Sequence, residues 1–183
     1  MRRHAQVNRE RILIAAEAVF GAQGAHGSTE EVARRAEVGI ATVFRHFPTK
    51  DALIEAALER HFLQLERRAT ALAVHLDSLE ALDELIVTLV GTGASKITMA
   101  SLIAQRGDFP AGVRAAADAL RASVDGVLAH AKAAGAVDAS VTVDELYFLI
   151  RALAQASATQ PPDPETVHRA IAIIMRGLRA FTP

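Results

Sequence analysis

The stretch VGIATVFRHFPTKDAL, Val38 to Leu53, places two phenylalanines, an arginine, a histidine, a proline and a lysine in an otherwise aliphatic, alanine-rich chain. Such a background needs only volume to fill a core, so a short segment mixing flat rings with cationic and hydroxyl groups points to a surface that reads something. Pro48 biases Phe47 away from helical geometry and stops any helix arriving from Ile40. Upstream, in STEEVARRA, Ser28 followed three residues later by Glu31 makes a capping box, and the acidic residues suit the positive end of the helix dipole. The segment therefore reads as two short helices, about Ser28 to Ala36 and Ile40 to Phe47, across the turn EVG: a helix-turn-helix.

On a helical wheel Val43 and Phe47 share one face with Ile40 at its edge, while Ala41, Thr42, Arg45 and His46 lie away from it. Val43 and Phe47 are expected to anchor the helix. The other side suits DNA, with Arg45 and Lys50 directed to phosphate, Thr42 to phosphate or a base edge, and Ile40, Ala41 and Phe44 to thymine methyls. Backbone amides near Thr49 and Lys50, at the start of the following helix, add an anion site.

Outward from this segment the pattern stays helical. Ile12, Ala15, Ala16, Val19 and Phe20 recur at three- and four-residue spacing, predicting an amphipathic helix over Asn8 to Gln23 with Arg2 and Arg3 as a solvated tail. A long fourth helix follows Thr49. Further helices are expected at about Ser78–Val90, Ala94–Gln105, Pro110–Ala134, Thr142–Ser157 and Pro164–Phe181, with the glycines of GTGASKIT breaking the first two apart. No strand alternation is visible, so the fold class is all-α: an N-terminal three-helix domain over residues 1–60 and a larger helical domain over 61–183.

The same sequence excludes several chemistries. There is no cysteine, hence no disulfide, thiolate metal site or cysteine nucleophile, which agrees with a reducing cytoplasm. The longest apolar runs read as far short of the ~20 residues a bilayer requires, so no membrane partner is expected. Formal net charge is −1, so a nucleic-acid role has to rest on local distribution. GTGASKIT fails as a phosphate loop because Ser95, not glycine, precedes Lys96 and no strand comes before it. His61, His75, His130 and His168 show no close helical pairing, and no nucleophile elbow is present, so neither a metal nor a cofactor nor catalysis is expected.

Taken in order, ILIAAEAVF, the Gly24 turn, VARRAEVG and ATVFRHFPTKDAL resemble the N-terminal domain of the TetR (tetracycline repressor) family of bacterial transcription regulators. The resemblance covers Arg9 to Leu58. It implies a homodimeric regulator, most simply a repressor that leaves a palindromic operator when a small apolar or amphipathic effector binds its C-terminal domain. On this resemblance Ile40, Ala41, Thr42 and Phe44 are base-reading or groove-contacting positions. Arg45, His46, Thr49 and Lys50 contact the DNA backbone, and Ser28 and Thr29 begin the supporting helix beside phosphate. Ala41 stands where family members often have glycine, and Phe44 where they usually have tyrosine, so one hydroxyl-to-phosphate hydrogen bond is missing. The rival reading is a helical small-molecule-binding protein or enzyme that retains the fold without operator specificity.

In the C-terminal part, ASKITMASLIAQRGDFP mixes apolar and hydroxyl groups, and an effector pocket is expected around Phe62, Thr98, Met99, Leu102, Gln105, Phe109, Val113 and Tyr147. In the last helix Val167, Ile171, Ile174, Met175 and Leu178 form one apolar stripe, widened by Ala170, Ile173 and Gly177. With Phe148 and Ala152 of the preceding helix, this stripe is expected to make the dimer interface that the resemblance implies.

Overall fold

The computed structural model describes residues 2–75, 77–159 and 162–179. Among them are eight α-helices and no strand: α1 (Arg2–Gln23), α2 (Thr29–Arg35), α3 (Ile40–His46), α4 (Lys50–His75), α5 (Ser78–Ala104), α6 (Ala111–Ala133), α7 (Val143–Thr159) and α8 (Pro164–Leu178). The chain is all-helical, as its periodicity predicts.

Two compact units emerge. The first comprises Met1–Phe62 and Ser95–Ala116, and the second Leu63–Ala94 and Ala117–Pro183. The first unit thus holds not only the N-terminal segment up to about residue 60 but also the end of α5 and the start of α6. The reason is one shared core: Ile12, Val19 and Phe20 of α1, Val32 of α2, Val43 of α3 and Leu58 of α4 pack together with Met99 and Leu102 of α5 and Val113 of α6. Phe20 is fully buried, worth about 1.5–3 kcal/mol of transfer free energy. Beside this core, Arg60 of α4 donates to Glu10 of α1 (Nε to Oε1, 2.7 Å) and pairs with Glu17, whose other oxygen lies 3.6 Å from Nδ1 of the buried His61.

In the second unit the buried residues include Leu65 and Leu72 of α4, Leu82, Leu85, Ile86 and Leu89 of α5, Leu120, Val124 and Leu128 of α6, Ile150 and Ala154 of α7, and Ile171 and Met175 of α8.

The structure departs from several of these expectations. α1 begins at Arg2, so the backbone of Arg2 and Arg3 is helical and not an unstructured tail. α8 ends at Leu178, and the expected end at Phe181 lies outside the described residues. α5 runs unbroken through Gly91 and Gly93 as a single helix of 27 residues. Gly93 is placed for close packing: a Cβ there would stand 2.4 Å from Cβ of Ala154 on α7. Unbroken, α5 is long and apolar enough to cross a membrane by length and composition, contrary to the reading of its two halves as short runs. Within the second unit, however, its Leu82, Leu85, Ile86, Leu89 and Val90 are each at most 2% exposed.

Candidate nucleic-acid interface

The helix-turn-helix is built from local hydrogen bonds. The Ser28 hydroxyl oxygen accepts from the backbone N–H of Glu31 at 3.1 Å, satisfying one of the free amides at the start of α2. The Glu31 carboxylate accepts from both Arg34 (2.7 Å) and Arg35 (2.9 Å), and these two guanidinium hydrogen bonds hold its pKa at about 2, well below the ordinary 4.5. Two residues beyond the end of α2 at Arg35, Glu37 has a left-handed φ of 53° and closes the turn. Its N–H donates to the Arg34 carbonyl (3.2 Å), and that of Val38 to the Ala33 carbonyl (3.0 Å). The Glu37 side chain pairs with Arg11 of α1, fastening the turn to the first helix.

α3 presents two unlike sides. Val43 is fully buried and Phe47 is 4% exposed, so this face is fixed in the core as expected. Ile40 at 37% and Phe44 at 43% are exposed, unusually so for large apolar side chains, and Ala41 and Arg45 are exposed beside them. Thr42 and His46 are half-buried. Arg45 has no side-chain partner among the described residues, so its guanidinium is available for a bidentate contact to phosphate or guanine. The exposed rim therefore offers apolar groups suited to thymine methyls next to a free cation.

The remaining expected contact residues are more occupied. The Thr49 hydroxyl accepts from the N–H of Ala52 at 3.0 Å, capping α4. Lys50 donates to the Ala25 carbonyl at 3.0 Å and lies 5.4 Å from the centroid of the Phe20 ring, so one of its three N–H donors is spent inside the protein. Thr29 is 8% exposed, with its hydroxyl donating to Glu30 at 3.3 Å, and Ser28 is committed to the cap. These two residues build the start of α2 and leave little surface for phosphate. Arg9, noted in sequence only as one of the N-terminal arginines and not as a contact residue, is exposed on α1 with its guanidinium 5.3 Å from the Phe47 ring centroid. Its place in the basic N-terminal stretch was the available signal.

Residues 12–57 match the family model for bacterial regulatory proteins of the TetR family, and residues 77–180 match the model for the C-terminal domain of SbtR-like transcriptional regulators. The solved TetR transcription regulatory protein of Mycobacterium vanbaalenii is 31% identical, with a TM-score of 0.81 and coverage of 98% of this chain and 99% of that one. The chain belongs to the TetR family.

Membership makes it a DNA-binding transcription regulator. Other TetR-type structures agree. A TetR transcriptional regulator of Streptomyces coelicolor is 27% identical at a TM-score of 0.81, covering 95% of this chain and 99% of that one. NalD of Pseudomonas aeruginosa, the secondary repressor of the MexAB-OprM multidrug efflux pump, is 26% identical at a TM-score of 0.59, covering 96% and 98%. No curated protein matches the sequence.

The residues of the effector lining expected from sequence are divided between the two units. Met99, Leu102 and Val113 fill the core of the first unit, and Gln105 is exposed in the turn after α5. Phe62 and Phe109 pack at the edge of that core, and Thr98 is half-buried. Tyr147 belongs to the second unit, where Arg121 lies 5.4 Å from its ring and burial pushes its hydroxyl up to about 12.

The interface stripe on α8 divides likewise. Ile171, Met175 and Leu178 are 2%, 6% and 7% exposed, so they serve the core of their own unit. The outward face is carried by the exposed Ile173 and Gly177 with the half-exposed Ala170, flanked by the half-exposed Val167 and Ile174. On α7, Phe148 is 74% exposed, and Ala152 one turn on is exposed as well.

Proposed function

We propose that this TetR-family regulator is a homodimeric repressor that reads a palindromic operator with α3 and leaves it when a small apolar or amphipathic effector binds. The observation that carries the reading is the division of α3: Val43 and Phe47 are locked in the core while Ile40, Ala41, Phe44 and Arg45, which has no side-chain partner among the described residues, stand outward. A reading helix needs this division, because its register on a base sequence is only as fixed as its seat on the protein.

The outward apolar residues of α7 and α8 support dimerisation. Phe148 and Ala152 of α7 with Ala170, Ile173 and Gly177 of α8 form a surface of one large ring, one branched aliphatic and several small residues, suited to close helix packing against a second copy. A two-fold dimer presents two reading helices about 34–36 Å apart, one turn of DNA, and so matches a palindrome. Repression has support from NalD, itself a repressor. Release requires that the effector bind the DNA-incompetent state more tightly than the competent one.

The test is fluorescence anisotropy of the purified protein against DNA from immediately upstream of its own gene, with scrambled DNA as control and a series of salt concentrations. Preference for the upstream DNA that survives physiological salt is expected. Equal binding that collapses with salt for both DNAs would overturn the reading for that promoter.

A further inference from the structure

Within the second unit a groove of about 470 Å³ opens between α5 and α8. Glu80 and Asp83 of α5 line it together with Arg169 and Arg176 of α8 and Arg179 just beyond. The floor is apolar, formed by Leu79, Ala172 and Met175 with Ile173 at one edge. No ion pair joins the acidic and basic walls, and none of these five charged side chains has a partner elsewhere among the described residues.

Basic residues near the end of a helix complement its negative pole, which accounts for Arg176 and Arg179 in part. It does not account for Arg169 in the body of α8, nor for two carboxylates lining the same groove as three arginines with no ion pair between them among the described residues. The volume lies within the roughly 300–1,000 Å³ of small-molecule sites. Arg176 and Arg179 both line the groove, and guanidinium groups bind carboxylate in a bidentate fork. The arginines outnumber the carboxylates, so the groove favours an anion. Glu80 and Asp83 oppose a second negative group and accept hydrogen bonds from a hydroxyl.

We propose that this groove binds a small hydroxylated amphiphile: a single carboxylate held by Arg176 and Arg179, an aliphatic body on Met175 and Ala172, and a hydroxyl donating to Glu80 or Asp83. The groove shares no residue with α3 or with the effector lining expected from sequence. On the wheel of α8 the arginines lie on the flank away from Val167 and Ile174, and Ile173 alone borders both the groove and the proposed pairing face.

The experiment is a titration of the full-length protein, methyl-labelled for NMR, with 3-hydroxyoctanoate as probe and octanol and octylamine as controls. Saturable shifts are expected at the methyls of Leu79, Ile173 and Met175 with the acid but not with the amine. Arg176→Ala with Arg179→Ala should weaken binding about tenfold or more, the scale set by removing a charge-assisted hydrogen-bond pair. Glu80→Gln with Asp83→Asn keeps an oxygen acceptor for the hydroxyl while removing the repulsion between these carboxylates and the ligand's own, and should tighten binding several-fold, a gain that a damaged fold would not produce. Absence of saturable binding at millimolar acid, shifts confined to other methyls, equal affinity for octylamine, or indifference to both double variants would each overturn the proposal.

Discussion

The ammonium of Lys50 donates to the carbonyl of Ala25 across 3.0 Å, so the first residue of α4 holds the turn that follows α1. Arg45, five residues earlier, has no such partner among the described residues. Two cations assigned to the same phosphate backbone thus start from different positions. Arg45→Ala is expected to reduce the slope of log affinity against log salt by about 0.9 for each phosphate that the guanidinium neutralises, with unchanged stability. Lys50→Ala should change the slope less and lower stability by roughly 1 kcal/mol, because it removes both the hydrogen bond to Ala25 and the cation over the Phe20 ring. Anisotropy titrations over a salt series and urea unfolding separate the two effects; equal slopes for both variants would contradict the distinction.

Glu37 closes the helix-turn-helix at a φ of 53°, where a side chain costs about 1–2 kcal/mol that glycine does not incur. Against that relief stand the backbone entropy of glycine and the exposed pair with Arg11, together about 1 kcal/mol. Glu37→Gly should therefore raise stability by roughly 0.5 kcal/mol. Glu37→Ala keeps the strained backbone, removes the pair, and should lower stability. Urea midpoints of the two variants on opposite sides of the parent check this.

The Glu31 carboxylate, held at about 2 by Arg34 and Arg35, makes α2 sensitive to acid. Its pKa is lower folded than unfolded, so its contribution is fully present above the ordinary value of 4.5 and is lost as pH falls toward 2. Glu31→Gln should flatten the decline of the urea midpoint in that window and leave the dependence above pH 5 unchanged. A parent and variant with parallel acid limbs would refute the assignment.

Ile171 and Ile173 test the division of α8, since the first is 2% exposed and the second 60%. Ile171→Ala should cost roughly 2–4 kcal/mol of stability. Ile173→Glu should leave the helical circular dichroism intact while shifting sedimentation from dimer to monomer at micromolar concentration, and Phe148→Glu should do the same. Dimers unaffected by both substitutions would remove this face as the interface.

Much of the helix-turn-helix was legible because its determinants are local. The Ser28 cap, Pro48 and the cap at Thr49 act within one or two turns, and the spacing of Val43 and Phe47 states which side of α3 is buried; the capping box is only half formed, because the Glu31 carboxylate turns to Arg34 and Arg35 instead of the Ser28 N–H. α8 was less legible. It is apolar over most of its circumference, so periodicity alone does not tell Ile171, turned inward, from Ile173, turned outward. Met99, Leu102 and Val113 looked like a lining for a further reason: a pocket wall and a filled core use the same side chains, and only the packing partners distinguish them. Gly91 and Gly93 misled for the opposite reason. Low helix propensity of about 1 kcal/mol per glycine suggests a break, while the reason for tolerating one of them lies far along the chain at Ala154.

That close approach also links the histories of two positions. With 2.4 Å between the Cβ of Ala154 and the place where one would stand on residue 93, α5 and α7 share room for a single methyl group. Either helix can carry it, but not both. Gly93→Ala should thus be poorly tolerated alone and acceptable together with Ala154→Gly, so that a lineage can pass from one arrangement to the other through an intermediate with glycine at both positions, never through one with alanine at both.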